Sequence, residues 1–205
     1  MTLAGDSITV RDITIQNFDG SGNLVDSTTI HNNSGSGILA ASGVGNIFRQ
    51  NLIFSNGELA IDLDGDGVTP NDIGDGDEGA NNRQNSPILI RAVSDEESLV
   101  VEGILNSEPN KNYTIDFYAS DTCPAGSLGE GETWLGSTEV VADAAGNASF
   151  ETAVYLPAPD SAISALATGS SGTSEFSRCI RVGLGNDAWP RALHLDLVAD
   201  EFSPK

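Results

Sequence analysis

The sequence predicts an all-β protein that begins as a short parallel β-helix of two to three coils and ends as a β-sandwich. Three observations predict this order. The first third repeats short β-branched runs, the segment after it is dense in aspartate, and roughly a hundred residues from Pro87 onward contain evenly spaced apolar runs, some of which alternate with polar side chains. The predicted boundaries are residues 1–61 for the coils, 62–86 for an acidic calcium-binding loop, 87–182 for the sandwich, and 183–205 for a linker or the start of a truncated further domain.

A repeat of 23 residues predicts the coils. The segment from Ile30 to Ile38 aligns with the segment that begins at Ile53, placing isoleucine on isoleucine and Asn33 on Asn56. Periods of this length are typical of solenoids, whose coils bury their apolar faces against one another. Residues 8–18 also alternate apolar and polar side chains, but their alignment with the later repeats is not clear. Asn33 and Asn56 are predicted to stack in a hydrogen-bonded ladder. Two or three coils without neighbours would have exposed strand edges.

The acidic loop predicts a calcium site. Residues 62–79 hold seven carboxylates, and no lysine or arginine occurs between Arg49 and Arg83. Like charges at short range repel, so a compact conformation needs a counter-charge. The D-x-D-x-D-G spacing that ends at Gly67 matches the start of a calcium loop, whose hard oxygen ligands favour Ca²⁺. The candidate ligands are Asp62, Asp64, Asp66, Asp72, Asp75 and Asp77.

The match to a calcium loop is incomplete. Counted from Asp62, the twelfth position is Ile73, where an EF-hand places a bidentate glutamate. Backbone carbonyls or water would have to complete the coordination. The alternative is a solvated acidic linker without any ion, because blocks of like charge are often disordered.

Seven apolar runs predict a sandwich of immunoglobulin-like type. Clusters of Asn, Asp, Gly and Pro separate several of these runs. The predicted strands cover residues 88–93, 99–105, 113–120, 134–141, 148–156, 162–168 and 176–182.

The two cysteines, Cys123 and Cys179, predict a disulfide if the protein is extracellular, with two separate thiols as the alternative. In the chain-entropy description, closing a loop of this length stabilises the fold by about 4 kcal/mol.

Three segments resemble a known kind of protein. They are N-I-F-R-Q-N-L-I-F-S-N at 46–56, I-D-L-D-G-D-G-V-T-P-N-D at 61–72 and Q-N-S-P-I-L at 84–89. Together they resemble the C-terminal end of right-handed parallel β-helix regions in large bacterial surface and secreted proteins. In those proteins a similar acidic loop leads into an immunoglobulin-like domain. The resemblance implies a right-handed helix and an extracellular or cell-surface location, and little about activity.

Charge and motifs narrow the function classes. The net charge of -21 opposes binding to nucleic acid or to an anionic membrane, and no apolar run is long enough for membrane insertion. The first residues also lack a secretory signal, so we expect a fragment of a longer chain. Common catalytic motifs such as G-x-S-x-G and H-E-x-x-H are missing.

Three functions remain after this narrowing. The first is a non-enzymatic, calcium-stabilised structural or adhesion module. The second is a fragment of a polysaccharide-degrading enzyme that uses Asp62 and Asp64 as acid and base. The third is a binding module for an extracellular glycan or protein.

Overall fold

The computed structural model describes residues 2–3, 8–10, 22–94, 98–122, 128–155, 158 and 161–184. Within these residues the protein is all-β, with one short 3-10 turn at Ala80–Arg83. Cys123 and residues 185–205 lie outside the described residues. The disulfide between Cys123 and Cys179 and the start of a further domain therefore stay predictions.

The first eight strands pair in parallel and form what we call the stacked region, residues 2–63. They form three sheets, in the orders β1-β3-β6, β2-β4-β7 and β5-β8. Consecutive strands therefore belong to different sheets, and the chain returns to each sheet one level further along. The strands are β1 (Thr2–Leu3), β2 (Ile8–Val10), β3 (Leu24–Asp26), β4 (Thr28–His31), β5 (Ile38–Ala40), β6 (Ile47–Arg49), β7 (Leu52–Phe54) and β8 (Ile61–Leu63).

The pairing register confirms the predicted repeat of 23 residues. Ile30 lies opposite Ile53, and Ile38 lies opposite Ile61. The first level has a different offset, since Val10 pairs with Ile30. This shorter offset explains why residues 8–18 do not align clearly with the later repeats in the sequence.

From Val25 to Leu63, the interior of the stacked region is filled by aliphatic and aromatic side chains that point inward. Ile30, Ile38, Phe48 and Leu63 are fully buried there. Asparagines hold the turns between levels. The Asn33 side chain donates to Asn56 Oδ1 at 2.9 Å, as the predicted ladder requires.

The second half of the chain forms two sheets, which we call the sandwich region, residues 88–184. One sheet has the order β13-β10-β9-β17, and the other has β12-β11-β14-β15 with β16 also on β14. All pairings are antiparallel except that of β17 with β9. The strands are β9 (Ile88–Ser94), β10 (Leu99–Asn106), β11 (Asn112–Ser120), β12 (Thr133–Val141), β13 (Asn147–Val154), β14 (Ala162–Gly169), β15 (Gly172–Thr173), β16 (Ile180–Arg181) and β17 (Gly183–Leu184).

Six of the seven strands predicted in this half occur within two residues of their expected bounds. The seventh, over residues 176–182, is reduced to β16. Alternate residues are the more buried ones on β10 and β13, as the pattern predicts, whereas β14 is buried on both faces. Leu99, Val101 and Leu105 on β10 meet Phe117 on β11 in a shared core.

The outer face of the β11–β14 sheet covers the end of the stacked region. Tyr118, Leu166 and Phe176 belong to the same apolar cluster as the interior of the stacked levels. Backbone bridges join Ile53 to Gly131 and Asn46 to Gly172. The last stacked level therefore does not have the exposed edge expected for isolated coils, because the sandwich region pairs with it.

Candidate metal site at the joint between the two regions

The acidic loop is a folded element that packs on the sandwich region. The Gly74 N–H donates to Asn106 Oδ1 at 2.7 Å, and the Asp72 N–H donates to Asn85 Oδ1 at 2.9 Å. The Asn85 side chain in turn donates to the carbonyls of Asp72 and Asn106. These contacts tie the loop to the end of β10 and do not fit the alternative of a freely solvated linker.

Three of the six predicted ligands come together in this loop. Asp72, Asp75 and Asp77 each offer an oxygen, and these oxygens lie within 4.8 Å of one another, so the cluster could hold a metal ion. We call this set the aspartate cluster. Gly74 and Gly76 separate the three aspartates, and Gly74 has a φ of +82°, so the chain turns sharply enough for the side chains to converge.

Asp75 anchors the aspartate cluster. Its side chain is only 6 % exposed. One carboxylate oxygen accepts the Asn85 N–H at 2.8 Å, and the other accepts from Gln84 Nε2 at 2.7 Å and from the Ser107 hydroxyl. Tyr113 Oη lies 2.8 Å from the same hydroxyl. Asp75 is therefore fixed by neutral donors, and none of these donors cancels its charge.

The other two carboxylates each retain an unsatisfied oxygen. Asp72 Oδ1 and Asp77 Oδ1 are buried and have no hydrogen-bond partner. Burial raises the pKa of Asp75 to about 7, and the charges of Asp72 and Asp77 add to this rise. Burial, followed by the charge of Asp72, also raises the pKa of Asp77. Buried acceptors without donors are costly, and a cation would satisfy them.

Asp64 and Asp66, two of the three aspartates in the D-x-D-x-D-G motif, lie elsewhere and pair with Arg83. The Arg83 guanidinium lies 2.8 Å from Asp64 Oδ2 and 2.9 Å from Asp66 Oδ2. The Ala80 N–H donates to Asp64 Oδ1 at 2.7 Å. Ligation of a metal by Asp64 or Asp66 would require breaking these pairs, so the counter-charge here comes from the chain itself.

A left-handed turn places Arg83 at these carboxylates. Asn81, Asn82 and Arg83 have φ values of 50°, 51° and 51°. Asparagine tolerates this conformation better than other side chains, so the N-N-R sequence can reverse the chain direction sharply.

The remaining residue of the D-x-D-x-D-G motif, Asp62, faces Ser36 of the preceding level, with Ser36 Oγ at 3.3 Å from Asp62 Oδ2. The motif residues therefore do not form one group.

Glu175 is a joint residue that sequence reasoning missed. Its carboxylate accepts the Leu63 N–H at 3.0 Å, the Thr69 N–H at 2.9 Å and the Thr69 hydroxyl at 3.1 Å. It is only 3 % exposed, and burial raises its pKa to about 7. Its neighbours in sequence, apart from Phe176, are the polar residues Thr173, Ser174, Ser177 and Arg178, so no local pattern marked this carboxylate as buried.

The raised pKa of Glu175 predicts a pH dependence of stability. The folded protein holds this proton more tightly than the unfolded chain, so the stabilisation is complete below about pH 4.5 and is lost as the pH rises through about 7. In EDTA, the free energy of unfolding is expected to fall between about pH 5.5 and pH 8, by about 2 kcal/mol from this group. Denaturant titrations at both pH values measure the fall.

The matched variants for this test are Glu175→Gln and Glu139→Gln, because Glu139 is exposed on β12. Glu175→Gln should reduce the fall by the share of Glu175 and leave the share of Asp75, whose pKa is also raised to about 7, and Glu139→Gln should leave the whole fall as in the wild type. The assignment fails if Glu175→Gln shows the full wild-type fall.

The sequence matches no known family model and no curated protein sequence. Among the described residues, no helix has the length and apolar character needed to cross a membrane.

Proposed function

We propose that the protein is a non-enzymatic structural or adhesion module of a bacterial extracellular protein, in which calcium at the aspartate cluster stiffens the joint between two β regions. The observation that supports this most strongly is the pair of buried, unsatisfied oxygens on Asp72 and Asp77 beside the buried Asp75. A divalent cation supplies the missing partner for both oxygens and offsets the repulsion among the three carboxylates.

Calcium is the proposed ion because every side-chain ligand is a carboxylate oxygen. Hard oxygen donors favour Ca²⁺ or Mg²⁺ over zinc or copper. Ca²⁺ accepts irregular shells of six to eight oxygens, whereas Mg²⁺ requires a near-ideal octahedron. A turn with three aspartates and nearby carbonyls fits the flexible shell better. The net charge of -21 also suits a protein that meets divalent cations outside the cell.

The proposed architecture is a right-handed parallel β-helix followed by an immunoglobulin-like sandwich. Parallel pairing at an offset of 23 residues supports the helix, and two antiparallel sheets around one core support the sandwich. The joint between them has buried polar contacts as well as apolar packing. Phe48 N–H, for example, donates to the Thr173 hydroxyl at 2.9 Å. Such a joint would project a binding region rigidly from a cell.

The enzymatic alternative has less support. It needs Asp62 and Asp64 as a free acid and base, yet Asp64 is paired with Arg83 and Asp62 is only 6 % exposed. A role in binding an extracellular glycan or protein is compatible with the structural proposal, since a rigid module can present such a surface.

Thermal unfolding tests the calcium proposal. Extracellular calcium modules have dissociation constants of about 10⁻⁴ to 10⁻³ M. Addition of calcium at ten to a hundred times such a value should stabilise the fold by about 1.5 to 2.7 kcal/mol, which raises the Tm by about 5 °C. EDTA should reverse the rise.

Two variants make the thermal test specific. Asp77→Asn removes a charge from the aspartate cluster and should abolish most of the calcium-dependent rise. Asp121→Asn removes an exposed carboxylate of the sandwich region and should leave the rise unchanged. A Tm that does not respond to calcium or EDTA in the wild-type protein would overturn the proposal.

A further inference from the structure

A second group of oxygens lies between two stacked levels, apart from the aspartate cluster. Ser36 Oγ is 3.3 Å from Asp62 Oδ2 and 3.3 Å from Glu58 Oε2. Ser36 comes from the turn before β5, whereas Glu58 and Asp62 come from the next level along the chain. Two carboxylates of one level therefore lie beside the same hydroxyl of the level before it.

Hydrogen bonding alone does not account for this geometry. A serine hydroxyl has one proton and can donate to only one of the two carboxylates. A hydroxyl bonded to a carboxylate normally lies about 2.5 to 2.7 Å away, and both contacts here are clearly longer. The single hydroxyl proton is therefore shared by two long, weak contacts and satisfies neither carboxylate well.

The spacing does fit ligands that share a cation. Ligands about 2.4 Å from Ca²⁺ and at right angles to each other lie about 3.4 Å apart. The spacing from Ser36 Oγ to each carboxylate oxygen is close to this value.

Asp62 gives an independent indication of a missing partner. The residue is 6 % exposed, and its second oxygen, Oδ1, is buried without any hydrogen-bond partner. A carboxylate that chelates a cation with both oxygens satisfies Oδ1 as well. Ser36 is also buried, at 4 % exposure, whereas Glu58 is exposed, so a cation bound here would be open to solvent only on the Glu58 side.

We propose that Ser36, Glu58 and Asp62 form a second calcium site that clamps two stacked levels together. This site is separate from the aspartate cluster and does not depend on it. It extends the role of calcium from the joint into the stacked region. There the ion links side chains that are 22 and 26 residues apart in sequence but lie next to each other in adjacent levels.

Calcium stoichiometry, measured by isothermal titration calorimetry on the full chain, tests the second site. The wild-type protein should bind two ions. Glu58→Gln, an exposed position, and Ser36→Ala should each bind one, and Asp77→Asn should bind one. The double variant Glu58→Gln with Asp77→Asn should bind none, and the control Glu139→Gln should bind two.

The outcomes separate the two sites. If Glu58→Gln and Ser36→Ala retain the wild-type stoichiometry and affinity, the second site is overturned and the aspartate cluster stands. If calcium binding is lost in Glu58→Gln and retained in full by Asp77→Asn, the second site stands and the proposed function at the cluster falls.

Discussion

Replacement of Arg49 by methionine is expected to lower the free energy of unfolding by about 3 to 5 kcal/mol, the usual cost of leaving a buried charge without its partner. Arg49 lies at the end of β6 in the stacked region. Its guanidinium meets both oxygens of Asp116 on β11, at 2.6 and 2.9 Å. Asp116 is fully buried, so no water can replace the lost partner. Denaturant unfolding measures the loss.

A double variant separates the ion pair from simple packing. Arg49→Met with Asp116→Leu removes both charges and should recover much of the stability lost in Arg49→Met. Trp134 Nε1 also contacts Asp116, at 3.3 Å, and its exposed indole can turn to solvent. A loss below about 1 kcal/mol in Arg49→Met would contradict the role of this pair as the polar centre of the joint.

Asn81→Ala is expected to cost about 3 kcal/mol, the second largest effect. The Asn81 side chain accepts the Asn46 N–H at 3.0 Å and donates to the carbonyls of Asn46 and Thr173, both at 2.9 Å. One fully buried amide therefore links the loop, the last stacked level and β15. Its loss would leave the buried Asn46 N–H without its acceptor, at about 1 to 3 kcal/mol, whereas the Asn46 carbonyl would still accept the Thr173 N–H at 3.0 Å. Gly172 packs against this amide, since an added Cβ would lie 2.3 Å from Asn81 Cγ.

The neighbouring Asn82 provides the control for this variant. Both asparagines have left-handed backbone angles, so their replacement by alanine carries the same conformational penalty. The Asn82 side chain makes only a 3.5 Å contact with Ser171 Oγ. Asn82→Ala should therefore cost about 1 kcal/mol. Equal losses in the two variants would show that the backbone conformation, and not the amide network, determines the effect.

The parts of the fold that sequence predicted are those set by local or periodic patterns. The offset of 23 residues was readable because Ile30 and Ile53 occupy the same place in successive levels. The sandwich strands were readable because alternate side chains face one core. The contacts at the joint could not be predicted from the sequence, because Arg49 and Asp116 are 67 residues apart and no pattern links them.

The acidic loop illustrates the same limit at the candidate site. Sequence spacing favoured Asp62, Asp64 and Asp66 as a group, since alternate residues of a calcium loop converge on one ion. The left-handed turn at residues 81–83 instead brings Arg83 onto two of them. Asp72, Asp75 and Asp77 converge because glycines and the Asn85 side chain fold the loop back. Side-chain spacing alone does not contain that information.

A crystal structure grown with calcium tests the central claim most directly. The proposal predicts a strong density peak at the aspartate cluster, with an anomalous signal and six to eight oxygens at about 2.3 to 2.6 Å, among them oxygens of Asp72, Asp75 and Asp77. An ordered loop in which Asp72 Oδ1 and Asp77 Oδ1 bind only water, at millimolar calcium, would contradict it.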